Sequence, residues 1–112
     1  MSSKDAARRL HDILANVERI RRYIRGTSAQ RFAADEKTQD AVERCLLRIS
    51  EAARKIGSDL DEKYPTVEFP KLRQLGSVLR HDYDEVDPEL LWRTVTERLD
   101  ALEAACRQEL AS

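Results

Sequence analysis

Apolar residues recur along this chain at intervals of three and four, with charged residues filling the gaps. Leu10, Ile13, Leu14, Val17, Ile20 and Ile24 form one stripe of an amphipathic helix, and Gly26 is a natural stop for it. A second long helix carries Ala41, Val42, Cys45, Leu46, Ile49, Ala52, Ala53 and Ile56 on its buried side and ends at Gly57. The stretch from Thr27 to about Thr38 has no clear period, so the start of that helix is open. A short helical turn is expected from Ser58 to Lys63. Pro65 and Pro70 then punctuate an ordered connection in which Phe69 plugs the core. Another helix is expected to start near Pro70 and run through Leu72, Leu75, Val78 and Leu79 to Arg80 or Tyr83. Asp87 and Pro88 read as an N-cap and a first-turn proline. Leu91, Val95, Leu99, Leu102, Cys106 and Leu110 then mark one long terminal helix. No strand pattern or internal repeat competes. The expectation is an all-α antiparallel bundle of about four to five helices forming a single domain over residues 1–112.

At 112 residues one core of moderate size is expected. No apolar run reaches the length needed to cross a bilayer, and the start lacks a signal-peptide pattern, so a cytoplasmic protein without membrane contact is expected. Cys45 and Cys106 lie on apolar helix faces without metal or redox spacing and read as reduced core residues. The 20 basic and 21 acidic residues nearly cancel, but residues 1–31 hold eight Lys/Arg against three Asp/Glu. Such a basic segment suits RNA or an acidic partner, and it equally suits antiparallel pairing of helices in a dimer. Several apolar stripes share a limited interior, which favours a homodimer.

Candidate chemistry concentrates in Arg80-His81-Asp82-Tyr83-Asp84-Glu85-Val86-Asp87-Pro88. A permanent cation, an imidazole that titrates near neutrality and a phenol lie side by side. RNA is cleaved when its own 2′-hydroxyl attacks the adjacent phosphate, provided that a base and an acid manage the protons. His81 suits that work, and an arginine suits the charge that develops on the phosphoryl oxygens. No cofactor or metal is needed for such a transesterification. The blander reading places His81 against the dipole at a helix C-terminus, Tyr83 in the core with a wet hydroxyl, and Asp82, Asp84 and Glu85 as loop and cap residues. The three carboxylates lack a second ligand cluster and are not read as a metal site. Glu51 stands on a helix face that can approach a cleft, although an ordinary surface glutamate is its default reading. Trp92 reads as a packing anchor.

In order along the chain, Ala41-Val42, Glu51-Ala52, Tyr64-Pro65, His81-Asp82-Tyr83, Val86-Asp87 and Trp92 resemble the landmarks of the HepT-like branch of the HEPN superfamily. These are small helical proteins of prokaryotic toxin-antitoxin pairs, and the resemblance covers nearly the whole chain. It implies a HEPN-like bundle that dimerises, with a metal-independent endoribonuclease site in the cleft between protomers and RNA as substrate. It also implies a minimal nucleotidyltransferase as antitoxin, which in such pairs can attach AMP to the tyrosine corresponding to Tyr83. The family's arginine, often followed by asparagine, is separated from the histidine by four to six residues. In this chain Gly76 and Ser77 occupy those places. Arg73 lies roughly 12 Å upstream of His81 along the helix axis, with its side chain leaning further upstream. Arg80 is the nearer substitute, although helical neighbours diverge by about 100°. Either arginine could also come from the other subunit of a dimer. The resemblance therefore nominates His81 with Arg80 or Arg73, supported by Asp82, Glu51 and Ser77. The alternative is a weakened HEPN module that binds a nucleotidyltransferase or RNA without cutting.

Overall fold

A computed structural model of the chain describes residues 4–81 and 86–112. Its elements are α1 (Lys4–Ile24), α2 (Ala29–Ala33), α3 (Glu36–Ile56), a 3-10 turn (Pro65–Val67), α4 (Phe69–His81), α5 (Pro88–Glu97) and α6 (Leu99–Ala111). The described residues form no strand, and the all-α expectation holds. The most extensive packing joins α1 to α3, and α4 lies on α3 as well. The helix α6 packs on α1, and α5 on α2. The apolar stripes explain this arrangement, since Ile13 and Ile20 of α1, Val42, Leu46 and Ile49 of α3 and Leu102 of α6 are almost completely buried. Burying each such side chain contributes about 1.5–3 kcal/mol. Cys45 and Cys106 are free and buried, as expected, and burial pushes the Cys106 thiol up to about 12.

The unpatterned stretch after Gly26 is resolved into a five-residue helix. Ser28 caps it by accepting from the Arg31 N–H at 3.2 Å. Its purpose is to deliver Phe32, which is fully buried and meets the Trp92 ring at 5.2 Å between centroids. Asp35 then caps α3, accepting from the Thr38 N–H at 3.1 Å and the Thr38 hydroxyl at 2.6 Å. The Gln39 amide donates back to the carbonyls of Phe32 and Ala33, closing the end of α2.

Three expectations need correction. Residues 58–63 form turns rather than a helical turn. Gly57 sits at φ 82°, which ends α3 abruptly, and Asp61 is drawn to Arg73. Val78 is not a core residue, since it is 41% exposed; α4 buries Phe69, Leu72, Gly76 and Leu79 instead. The terminal helix is broken at Arg98 into α5 and α6. Thr94-Val95-Thr96 is a β-branched run, and both threonine hydroxyls donate to carbonyls four residues back, Leu90 at 2.7 Å and Trp92 at 2.8 Å. Such back-bonding bends helices, and β-branched side chains weaken them.

Candidate active site

The helix α4 remains regular through His81, and its side chains divide between two faces. Gly76 and Arg80 are four residues apart on the side that meets α3. Ser77 and His81 are four apart on an outward face, and both are exposed. Gly76 is where α4 comes closest to α3. A Cβ at this position would fall on the Ser50 hydroxyl and within 2.6 Å of the Ser50 Cβ, while Ser50 itself is buried and donates to the Arg73 carbonyl at 3.3 Å. The missing side chain at position 76 is therefore a packing requirement of this helix pair.

Arg80 uses the space that this leaves. Its guanidinium leans back one turn, so that a Cβ at Gly76 would lie 3.2 Å from Nη1, as helical side chains lean toward the N-terminus. Nη1 stands 3.9 Å from Glu51 Oε2, which is an ion pair but beyond hydrogen-bond range. Glu51 is already satisfied by Arg54, at 2.6 and 3.1 Å, with Lys55 at 4.0 Å. The Arg54 hydrogen bonds, with the nearby Lys55 and Arg80 charges, hold the Glu51 carboxyl below its ordinary range. Among the described residues Arg80 donates no hydrogen bond, so its N–H fork is available to a phosphate. The two side chains line a cavity of about 250 Å³ together with Arg44, Leu47 and Arg48.

Arg73 is differently engaged. Its guanidinium grips both oxygens of Asp61, at 3.0 and 2.6 Å, and donates to the Gly57 carbonyl at 3.0 Å. Both partners of the pair are mostly buried. The hydrogen bonds to Arg73 hold the Asp61 carboxyl down, so this arginine fastens the α3–α4 connection. The structure thus brings Arg80 and Glu51 together beside Gly76 and places Arg73 apart from them. His81 and Ser77 face outward, with Arg80 and His81 about 100° apart around the helix. Asp82 and Tyr83 lie outside the described residues.

Sequence reasoning missed Arg44 and Arg48 in the same cavity. The signal was present, because Arg44, Leu47, Arg48 and Glu51 follow i, i+3, i+4, i+7 spacing on one face of α3. It was passed over because Glu51 was taken alone from that face, and the arginines one and two turns before it were not read with it.

Comparison with known proteins bears on this geometry. The family profile described as Ribonuclease HepT-like matches residues 13–109. A Thermococcus cleftensis protein named as a probable ribonuclease HepT is 34% identical over 93 residues, covering 83% of this chain and 84% of its own length. A Methanocaldococcus jannaschii protein provisionally named an RNase is 33% identical over 99 residues, covering 88% of this chain and 82% of its own. No solved structure matches the chain.

Proposed function

The chain belongs to the ribonuclease HepT-like family, and from that premise we propose that it is a metal-independent endoribonuclease with His81 as the proton-transferring residue and Arg80 as the phosphate-binding cation. The observation that carries this reading is the Arg80 guanidinium, which lies over Gly76 at the edge of an open cavity and donates no hydrogen bond among the described residues. Arg80 occupies the space in which an arginine side chain at position 76 would begin. Its planar fork suits the two non-bridging oxygens of a phosphodiester and the charge they gain in the transition state. His81 takes the 2′-hydroxyl proton or supplies one to the leaving 5′-oxygen. Glu51 tethers Arg80 loosely and keeps it over the cavity.

Arg80 and His81 diverge around α4, so a cleft shared by two protomers is the arrangement in which both reach one phosphodiester. We therefore read the active species as a homodimer. The partner reading follows the family resemblance: the protein is the toxin of a pair, neutralised by a minimal nucleotidyltransferase that transfers AMP to Tyr83. A second reading is favoured by the Gly76–Ser50 contact, which leaves no room for an arginine at position 76. In it the protein is a weakened module that holds RNA or its nucleotidyltransferase without cleavage.

The deciding experiment is cleavage of a mixed RNA pool in the presence of EDTA by the intact protein and by His81→Ala and Arg80→Ala variants. Cutting that persists in EDTA and is lost in both variants is the expected result. An intact, folded protein that cuts nothing gives the lead to the binding module. Cutting abolished by EDTA removes the metal-independent mechanism.

A further inference from the structure

The cavity beside Arg80 continues along α3. Arg44 and Arg48 are one turn apart, roughly 6 Å along the helix axis, with Leu47 between them and Glu51 at the end nearest Arg80. Both arginines are exposed. Neither has a carboxylate partner among the described residues, unlike Arg8, Arg21, Arg22, Arg54, Arg73 and Arg107. Among the described residues the one acidic side chain of the cavity, Glu51, is matched by Arg54, so the described wall carries net positive charge. A second cavity, of about 270 Å³, adjoins the first and shares Arg48 and Glu51 with it. Arg48 thus lines both cavities, the second of which also carries Arg9 and Asp12.

We infer that Arg44 and Arg48 form a phosphate track that holds single-stranded RNA on one side of the bond presented to Arg80. This rests on the ribonuclease reading for the identity of the polyanion. An extended strand offers one negative charge per nucleotide, and cations spaced by a helical turn along one face follow such a backbone without reading its bases. Half-buried Leu47 supplies an apolar floor between them on which a ribose or a base face rests. Arg44 and Arg48 are positioning residues: they fix the register of the strand, and Arg80 and His81 act on the phosphodiester.

The test is binding of a labelled single-stranded oligoribonucleotide to the His81→Ala protein, followed by fluorescence anisotropy over a range of salt concentrations. Removing one phosphate-binding cation reduces the slope of log K against log salt by about 0.7 for a single strand. Arg44→Ala and Arg48→Ala should each lower it by about that amount, and the double variant by about twice as much. Arg48→Lys should keep the slope, since it keeps the charge. Arg93→Ala, which removes an exposed arginine of α5 outside both cavities, should leave the slope unchanged. A double variant with the parental slope, or an equal drop in Arg93→Ala, overturns the track. Cleavage by the wild-type chain is scored separately. A protein that does not cut yet shows the reduced slope in the double variant keeps the track and loses the nuclease reading. One that cuts with an unaltered slope does the reverse.

Discussion

Arg73 and Arg80 are two turns apart on one helix, and their surroundings give them different work. Arg73 commits its donors to Asp61 and the end of α3, so Arg73→Ala should destabilise the fold by about 1–3 kcal/mol in urea unfolding while leaving the salt slope of RNA binding intact. A reduced slope without reduced stability would reverse the two roles. The buried Glu109 carboxylate accepts from Lys63 at 2.7 Å and from the Tyr64 hydroxyl at 2.9 Å, and the Lys63 hydrogen bond leads in holding its carboxyl down. Asp61 is lowered by Arg73 in the same way. Groups depressed on folding stabilise the protein fully above the ordinary carboxylate range, and that contribution is lost as pH falls through their lowered values. Thermal unfolding should therefore show a falling Tm on the acid side, and the fall should be shallower in Glu109→Gln, which starts from a lower Tm at neutral pH. At the other end of the scale, burial raises both thiols. Neither Cys45 nor Cys106 should react with a disulfide reagent at neutral pH until the chain is unfolded.

At the level of elements, the chain shows which signals suffice without tertiary context. The 3.6-residue stripes located α1, α3 and the buried part of α4 because burial of one face determines those helices. Gly26 and Gly57, at φ 74° and 82°, ended two of them as their sequence positions foretold. Less was legible where polar side chains decide. Asp35 starts α3 through Thr38, and Asp35→Ala should lower the midpoint of denaturant unfolding; an unchanged midpoint would show that the cap contributes nothing. The break between α5 and α6 is written in the hydroxyls of Thr94 and Thr96, which an apolar count over Leu91, Val95, Leu99 and Leu102 passes across without notice. Thr96 is exposed, so Thr96→Ala should raise helix content and stability by a few tenths of a kcal/mol, read by circular dichroism and urea titration.

For the molecule as a whole, no described helix is long and apolar enough to cross a membrane, and the helices enclose a continuous core. If the proposed dimer forms, light scattering at working concentration should give twice the 12.9 kDa chain mass; a monomer would remove the shared cleft and with it the proposed meeting of Arg80 and His81. The sequence pointed to the end of α4 for chemistry and ranked Arg80 above Arg73 by distance alone, without the surroundings that set the two apart. Their difference depends on Asp61 and on the meeting of two helices distant in the chain, which no local spacing encodes. That meeting also limits how this protein can change. With Ser50 seated against Gly76, an arginine cannot be placed at position 76 by a single substitution, because any side chain there must first displace the serine. Any side chain at 76 needs a change at position 50, such as Ser50→Gly, before or together with it. Until both occur, Arg80 has no one-step substitute at the neighbouring turn, and positions 50 and 76 are constrained as a pair.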